Sequence, residues 1–545
     1  MSIVNETHST PIGTWMGDSS SLVSSPDSWT TALNEIDKPL CIVSTENGPA
    51  LGPVDDVTLG ATGDGFPVIG IIPASAPHHL GDISFCQDHE IQVPYVAGAM
   101  ANAIASVELV EAMSRAGMIG FYGAAGRPLE QVRDAVDRLK SSLGDSPFGI
   151  NLIHSPNEPD VEQGITDLLL EKGVHVIEAS AFLKLTLPII QFRVKGIYRD
   201  SQGKVVTPNK VIAKVSREEL AERFFSPPPE KLITKLLDQG VITAEEAELS
   251  KEIPVAQDLT AEADSGGHTD NRPALSMLPT FLRLRDRLQQ EFNFAQPLRV
   301  GLGGGISTPE SASAAFAMGA AYIVTGSVNQ ACKESGTSDM VREMLTETRQ
   351  ADVAKAPAAD MFEMGVNVQV LKRGTMFSMR GGKLYDMYRA YDSIDAIPVD
   401  DRAKLEKQVF RAPLEQVWKD TEAFFKIRDP RQIERAEQNP KHKMALIFRS
   451  YLGQSSNWAN SGVEDRKMDF QVWCGPAMGA FNEWVRGSFL EATTARTVEV
   501  VGKNILFGAC VLHRVNTLRR LGIAVPATVS NVRPLELSAL DSHFS

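Results

Sequence analysis

Short apolar runs alternate with helical patterns through the middle of the chain. Five of these runs have the character of buried strands: Val93–Ala97, Met118–Tyr122, Phe148–Leu152, Val174–Glu178 and Lys210–Val215. Between the second and third runs, Leu129, Val132, Val136 and Leu139 recur at the spacing of one helix face. Strands that alternate with helices predict a parallel sheet covered by helices.

Three further strands continue the series, and each is followed by small residues. Ile253–Gln257 precedes the segment Glu262–His268, Leu298–Val300 precedes Gly301–Ser307, and Tyr322–Thr325 ends in Gly326 and Ser327. Eight strand–helix repeats thus run from about residue 93 to about residue 331. This span matches the roughly 250 residues typical of a (β/α)8 barrel. We therefore predict an α/β fold of the TIM-barrel class.

The segments on either side of the barrel have different patterns. Residues 1–30 are rich in Ser, Thr, Gly and Pro, which predicts a mobile lead-in, and residues 40–73 indicate a small strand-rich cap. Beyond residue 390 the pattern is helical, with an amphipathic helix expected over 498–521. The predicted division is 1–75 for the lead-in and cap, 76–390 for the barrel and 391–545 for a helical C-terminal domain.

The stretch after the fifth strand is longer than a barrel unit requires. Residues 217–250 contain a proline-rich break and two helical stretches, which indicates an insertion. Loops that follow barrel strands form the catalytic face. We therefore expect this insertion and the helical domain together to frame the substrate entrance.

The glycine-rich strand ends are the strongest indication of a ligand. At the last two strands of a barrel, glycines let backbone N–H groups approach a phosphate without an intervening Cβ. Residues 303–305 with Gly326 and Ser327 have this pattern. A Rossmann fingerprint is the rival, but Ile306 or Thr308 stands where its third glycine belongs. A tight turn without a ligand is the remaining alternative.

Composition narrows the possible partners and compartment. The net charge is −14 and no dense block of Lys or Arg occurs, which argues against nucleic acid as the main partner. The sequence contains no run of about eighteen apolar residues, so we expect no membrane span. Residues 1–6 lack the basic and apolar segments of a signal peptide. The five cysteines are scattered without a CxxC pair, which predicts free thiols and no metal site. We expect a cytoplasmic protein.

Longer motifs resemble a known family. Ala97–Asn102, Glu262–Thr269 and Val300–Ile306 resemble the flavin-dependent barrels of nitronate monooxygenases and flavin enoyl-ACP reductases. Arg373–Phe377, Lys383–Tyr385 and especially Trp473–Trp484 are similar to the PfaD family. Its members are trans-acting enoyl reductases that serve polyunsaturated fatty acid synthases and some modular polyketide synthases. The resemblance covers the chain from about residue 30 onward.

The resemblance implies a cofactor, a reductant and a set of binding residues. It implies bound FMN, NADPH as reductant, acyl carrier protein domains as partners and a homodimer as the assembly. The implied cofactor-binding residues are Gly98, Ala99 and Met100 against the isoalloxazine, Asn151 and Lys214 at its polar edge, Gly266 and Gly267 beside them, and Gly303, Gly304, Gly305, Gly326 and Ser327 at the phosphate. A cation such as Lys214 would stabilise the negative charge of reduced flavin, the alternative being a lysine that only pairs with a carboxylate.

One histidine is the implied catalytic residue. An enoyl thioester accepts hydride at Cβ and a proton at Cα, while negative charge develops on the thioester oxygen. His268 follows two glycines at a strand end and could polarise that oxygen or supply the proton. His154 follows strand three and is a weaker candidate for the mouth of the site, whereas His175 is expected to pack within strand four. Asp264 is expected to set the turn before His268.

Two other functions stay open on the sequence. A nitronate monooxygenase would use the same barrel and histidine, and a non-catalytic assembly subunit of the synthase would use neither. For a carrier-docking surface, the candidates are the basic residues Lys372, Arg373, Arg380 and Lys383, which otherwise belong to a solvated loop.

Overall fold

The computed structural model describes residues 10–60, 63–156 and 158–544. Its strands are Gly13–Trp15 (β1), Leu40–Thr45 (β2), Gly48–Pro53 (β3), Val57–Leu59 (β4), Phe66–Ile72 (β5), Tyr95–Ala97 (β6), Ile119–Tyr122 (β7), Gly149–Ile153 (β8), Val176–Ser180 (β9), Tyr198–Arg199 (β10), Val205–Val206 (β11), Lys210–Val215 (β12), Asp258–Glu262 (β13), Gly267–His268 (β14), Arg299–Gly303 (β15), Ile323–Thr325 (β16), Val353–Pro357 (β17) and Asn367–Leu371 (β18).

The α-helices are distributed along the whole chain. They are Pro26–Asn34 (α1), Ile83–His89 (α2), Val107–Arg115 (α3), Leu129–Leu143 (α4), Pro159–Glu171 (α5), Leu187–Val194 (α6), Glu218–Phe225 (α7), Glu230–Asp238 (α8), Ala244–Leu249 (α9), Ala274–Phe292 (α10), Pro309–Ala317 (α11), Ser327–Gln330 (α12), Asp339–Thr346 (α13), Phe377–Ala390 (α14), Val399–Leu405 (α15), Leu414–Arg428 (α16), Arg431–Gln438 (α17), Pro440–Ser461 (α18), Ala477–Val485 (α19), Val498–Arg520 (α20) and Leu537–Leu540 (α21).

Eight parallel strands close into a barrel, which confirms the predicted fold. They follow one another around the barrel in chain order, as β6, β7, β8, β9, β12, β13, β15 and β16, and β16 pairs back onto β6. Helices α3, α4, α5, α6, α7, α10 and α11 follow the first seven strands. The carboxyl ends of all eight strands therefore meet on one face.

The sixth barrel strand lies further along the chain than predicted. It is β13, Asp258–Glu262, whereas the prediction placed it at 253–257. Its alternate residues Asp258, Thr260 and Glu262 bind Arg299, Tyr322 and Lys214 of neighbouring strands. Because these polar side chains are satisfied by one another inside the barrel, the strand does not appear as an apolar run.

Helix α2 seals the amino end of the barrel. Phe85 of this helix stacks on Tyr322, with ring centroids 4.0 Å apart. His89 bonds to Asp258 at 2.8 Å, and the Arg299 guanidinium lies 2.7 Å from Asp88. The opposite face, at the carboxyl ends of the strands, is therefore the open end of the barrel.

The predicted strand-rich cap is a five-stranded sheet in the order β3-β2-β5-β1-β4. The expectation of a mobile lead-in over residues 1–30 is wrong for residues 10–30, which form β1 and α1; residues 1–9 lie outside the described residues. Trp15 and Trp29 are buried, and their indole N–H groups donate to the carbonyls of Pro53 and Val23. Two buried aromatic anchors outweigh the polar composition of this segment.

The insertion at 217–250 does not lie on the catalytic face. Its first part, α7, is the barrel helix that follows strand five, and α8 and α9 lie between that helix and β13. Helices α8 and α9 pack against α6 and the β10–β11 hairpin, which form the connection that leads into barrel strand β12. Connections from a helix to the next strand lie at the amino ends of the strands. The predicted role of this insertion at the substrate entrance is therefore wrong.

The eighth barrel helix comes from the end of the chain. Helix α20 packs between α11 and α3, in the place that a helix after strand eight would occupy. Most of its residues are buried, so the predicted amphipathic character of 498–521 is wrong. A helix of the C-terminal segment thus completes the wall of the barrel.

A second core lies between residues 356 and 452. It combines side chains of β17, β18 and α14 with side chains of α15, α16 and α18. Residues on both sides of position 390 thus contribute to one hydrophobic core. Within the described part of the chain, no helix has the length and apolarity needed to cross a membrane.

Candidate active site

A cavity of about 520 Å³ lies at the carboxyl ends of the barrel strands. All of the site residues predicted from sequence line it: Gly98, Ala99, Met100, Asn151, Lys214, Gly266, Gly267, His268, Gly303, Gly304, Gly305, Gly326 and Ser327. Its roof comes from the helical region, through residues of α16 and α18 such as Phe424, Arg428, Arg449 and Gln454. The barrel and the helical region therefore enclose one site.

Two glycine turns after strands seven and eight form one end of this cavity. Cβ atoms built at Gly305 and Gly326 would meet no atom within 4 Å, so both positions open into free space. Within the described part of the chain, the backbone N–H groups of Gly305, Gly326 and Ser327 donate to no protein acceptor. Unpaired N–H groups around an open turn are the donor set that an anion such as phosphate requires.

Gly304 has a different function from its neighbours. Its φ is +84°, and a Cβ there would lie 2.6 Å from the backbone of Ala263. Gly304 thus allows the turns after strands six and seven to approach each other. A side chain at Gly304 would disturb that packing whether or not a ligand binds nearby.

Lys214 lies between two carboxylates at the floor of the cavity. Its Nζ is 3.1 Å from Glu262 Oε1. Burial opposes the charge of Lys214, but the attraction of Glu262 and Glu178 raises its pKa well above the ordinary value. Burial in turn raises the pKa of Glu178, which is completely buried, against the attraction of Lys214.

Glu178 also fixes the first strand's loop. Its Oε2 accepts the Ala99 N–H at 3.0 Å, while its Oε1 is buried without a partner among the described residues. Asn151 donates to the Glu178 carbonyl at 3.0 Å and to Ser180 Oγ at 2.6 Å. The predicted residues Asn151 and Lys214 therefore belong to one connected network with Glu178 and Glu262.

His268 is held by a carboxylate that the sequence did not indicate. It lies on β14, which pairs with β18, and its Nε2 is 3.1 Å from Asp360 Oδ1. Burial opposes protonation, but the attraction and hydrogen bond of Asp360 outweigh it and raise the pKa of His268. Asp360 therefore stabilises the charged form of the imidazole, which is the form that can donate a proton.

The chain is similar to two protein families and to a solved enoyl reductase. A nitronate monooxygenase family model matches residues 84–373, and a model for the inserted helical domain of [acyl-carrier-protein] S-malonyltransferase matches residues 391–470. The enoyl reductase domain of MlnA, from the macrolactin cluster of Bacillus amyloliquefaciens, is 38% identical with a TM-score of 0.77. The alignment covers 81% of this chain and 98% of that domain.

The chain belongs to the PfaD-like enoyl reductases, within the nitronate monooxygenase family.

Two longer relatives are a fatty acid synthase subunit and a polyketide biosynthesis protein. A polyunsaturated fatty acid synthase protein of Thraustochytrium sp. is 46% identical over 90% of this chain, and PksE, a polyketide biosynthesis protein of Bacillus subtilis, is 46% identical over 79%. The chain spans only 33% and 56% of those two proteins. The chain therefore corresponds to one part of each of these two relatives.

The family motif at residues 473–484 connects the roof to the turns of this reductase. The Gly475 N–H donates to Ser327 Oγ at 3.1 Å, and a Cβ on Gly266 would lie 3.0 Å from the backbone of Cys474. Trp473 lines the cavity beside them. The motif thus packs directly on the turns after strands six and eight.

Sequence reasoning missed several residues that the structure brings to the site. Asp360 is 92 residues from His268 along the chain, and neither its neighbours nor its spacing mark it. Glu178 belongs to a strand that was predicted only as apolar. Asp264 was expected to set the turn, and it does so by accepting hydrogen bonds from Asn271 and Gln369. His175 is exposed and bonds to Asn209, so the expectation that it packs is wrong.

The predicted basic segment is largely neutralised within the protein. Arg380 forms an ion pair with the buried Asp469, and Arg373 lies 3.7 Å from both Glu347 and Asp352. Arg380 and Lys383 lie on α14, whereas Lys372 and Arg373 lie in the turn between β18 and that helix. Arg380 is therefore removed from the candidate docking surface.

Proposed function

We propose that the chain is an FMN-dependent enoyl-thioester reductase that uses NADPH and acts in trans on carrier-bound acyl intermediates. The observation that carries this proposal is the cavity itself. Its lining includes both an open turn, whose N–H groups lack protein partners among the described residues, and a histidine–carboxylate pair. The first suits a phosphate and the second suits proton transfer.

The residues present fit FMN. The turns of Gly305 and Gly326 would hold its phosphate, since both are open and their N–H groups lack protein partners among the described residues. The loop of residues 98–100 would lie against the ring, anchored by Glu178. Lys214 provides a cation for the polar edge, although Glu262 partly neutralises it.

Bound FMN would supply hydride chemistry, taking a hydride from NADPH and delivering it to Cβ of the enoyl thioester. The chain's own residues would stabilise the negative charge that develops on the thioester and supply the proton to Cα. We propose that His268, held by Asp360, donates the proton that completes the reduction at Cα. The roof formed by α16 and α18 would help to shield the reacting atoms from bulk water.

The substrate carrier and the assembly are further parts of the proposal. An acyl carrier protein domain would present the thioester at the mouth of the cavity, as the presence of related chains in synthases supports. We expect a homodimer, which light scattering coupled to size-exclusion chromatography would test.

A nitronate monooxygenase is the second candidate, because the matching family model carries that name. The decisive experiment supplies the purified protein either with crotonyl-pantetheine and NADPH under nitrogen or with an alkyl nitronate in air. We expect yellow protein with one FMN per chain and oxidation of NADPH by the thioester. Turnover of nitronate alone would favour the second candidate, and colourless protein without either activity would favour a non-catalytic assembly subunit.

A further inference from the structure

A second histidine lines the cavity from a different wall. His154 directly follows β8, the third barrel strand, whereas His268 belongs to the loop after β13, the sixth. In the closed ring these strands are three positions apart. Two imidazoles thus reach one cavity from well-separated sides.

His154 is held rigidly by its surroundings. Its side chain is 5% exposed, and its Nδ1 lies 3.0 Å from Glu162 Oε2. Its backbone N–H donates to the Ser180 carbonyl at 3.1 Å, and its ring stacks on Phe182 at 5.4 Å and 16°. Glu162 is itself buried and accepts from the Thr186 hydroxyl. This is more support than a histidine that only fills space requires.

The hydrogen bond to Glu162 decides which nitrogen is available. A carboxylate only accepts, so Nδ1 of His154 carries a hydrogen. Nε2 bonds to no described residue, yet it is not among the fully buried atoms that lack partners. It is therefore the nitrogen open to the cavity, and in the imidazolium form it also carries a hydrogen.

We propose that His154 is a second catalytic histidine, whose Nε2 hydrogen binds the thioester oxygen of the acyl substrate. Glu162 is its positioning residue. The inference rests on the proposed enoyl reductase function and adds the group that binds the developing charge. His268 remains the source of the proton.

The surroundings of the two histidines support this division of roles. A group that stabilises an oxyanion has to be fixed in orientation and shielded from water, as the buried and stacked His154 is. A group that donates a proton has to be reprotonated from solvent after each turnover, and the His268 side chain is 31% exposed. The more accessible histidine therefore suits proton delivery.

The electrons and protons balance in this arrangement. When hydride adds at Cβ, the electrons of the double bond move to Cα and the thioester oxygen, which the Nε2–H of His154 binds. The carbonyl re-forms as Cα takes the proton from His268. His268 then regains a proton from water, and His154 keeps its own throughout. The net change is addition of one hydride and one proton.

The test compares His154→Phe, which preserves ring stacking on Phe182, with His175→Phe as a matched control outside the cavity. Three quantities are measured: reduction of the bound flavin by NADPH, its reoxidation by crotonyl-pantetheine, and its reoxidation by ferricyanide. We expect only the crotonyl rate of His154→Phe to fall, by about 10²-fold or more. Glu162→Gln should lower the same rate by about 10-fold through loss of orientation.

A binding measurement gives a readout that is independent of turnover. Acetoacetyl-pantetheine has no enoyl bond that could accept a hydride, and its enolate form carries negative charge on the thioester oxygen. Calorimetry should show that this ligand binds His154→Phe about 10-fold more weakly, or weaker still. If His154→Phe does not fold, His154→Gln carries the same expectations. Unchanged crotonyl reoxidation, or equal losses with crotonyl-pantetheine and ferricyanide, would overturn the role of His154. If the wild type does not reduce crotonyl-pantetheine, the proposed function itself fails.

Discussion

At the scale of single residues, charge in this site is arranged as pairs. His268 pairs with Asp360, His154 with Glu162 and Lys214 with Glu262. In each pair the carboxylate belongs to a different element from the basic residue. Such pairs lower the cost of keeping a charge away from bulk water and fix the orientation of the basic group.

Replacement of His268 should separate the two halves of the reaction. In His268→Ala the bound FMN should remain and NADPH should still reduce it, since that step needs no protein acid. Reoxidation by crotonyl-pantetheine should slow by about 10²–10⁴-fold. Stopped-flow absorbance resolves the two steps, and a normal reoxidation rate would exclude His268 as the proton donor.

Replacement of Asp360 should change the pH dependence. The pKa of His268 is raised because the attraction of Asp360 outweighs burial, so the protonated form persists to higher pH. In Asp360→Asn that pKa should fall, and the alkaline loss of crotonyl reoxidation should begin at lower pH. The rate near pH 5 should change less than the rate near pH 8. An alkaline limb at its original position would mean that another group controls the proton.

The sequence predicted the backbone of this site better than its side-chain partners. Glycines at strand ends are visible in a sequence because the turns demand them, and every predicted glycine lines the cavity. Partners such as Asp360 and Glu178 come from distant segments whose contact depends on the whole fold. A single sequence contains no local pattern that reports such contacts.

At the scale of elements, small residues in turns leave space in the cavity, and small residues in helices allow the barrel helices to pack closely. Gly326 illustrates this at the cofactor end: its backbone has an ordinary φ, and a Cβ there would meet nothing within 4 Å. Gly326→Val should therefore fold normally but fill the proposed phosphate position. We expect colourless protein with unchanged thermal unfolding.

The control for that variant is Gly382→Val, at another glycine whose Cβ would enter open space, on α14 away from the cavity. It should retain full flavin content, measured by absorbance after release. Full flavin content in folded Gly326→Val would move the phosphate elsewhere.

Helix α20 offers a pair of glycines for testing the barrel wall. A Cβ on Gly508 would lie 2.5 Å from the Pro309 ring of α11, whereas one on Gly502 would lie 3.1 Å from the flexible Met118 side chain. Overpacking costs about 1–3 kcal/mol, against a gain of about 1 kcal/mol from alanine in a helix. Gly508→Ala should therefore unfold at a lower urea concentration than Gly502→Ala. The reverse order would show that α20 does not press on α11 as described.

The hydrophobic pattern of the sequence located those elements whose side chains all have similar surroundings. The barrel strands that face only apolar neighbours were located, while β13 was misplaced because its inward side chains are polar. Helix α20 was expected to be amphipathic, but it is buried between two barrel helices and the terminal segments. Which element fills a gap in the barrel wall depends on geometry rather than on local periodicity.

At the scale of the whole molecule, ion pairs join the helical region to the barrel beside the cavity. Arg428 of α16 forms two hydrogen bonds with Glu158, at 2.6 and 3.1 Å, and Arg431 bonds to Asp160 at 2.9 Å. Glu158 directly precedes α5 and Asp160 lies in the first turn of that helix, so both follow His154 closely in the chain. These contacts hold the roof to the mouth of the site.

Loss of this link should loosen the roof without disturbing the barrel. Arg428→Met keeps most of the side chain's apolar contact and removes the charge. Hydrogen–deuterium exchange should rise in residues 158–166 and 414–428 and stay unchanged in β13 and β15. Lys426→Met, on the same helix and paired with Glu422 of that helix, is the control. Equal exchange in the two variants would show that the Arg428 pair does not restrain the roof.

The place of α20 in the barrel wall also has a consequence for how the protein is made. All eight barrel strands have left the ribosome once residue 325 has emerged, but the helix that covers the gap between α11 and α3 begins only at residue 498. During translation of the intervening segment, apolar side chains of α3 and α11 have no permanent cover. The barrel wall of the nascent chain is therefore completed only after α20 has been synthesised.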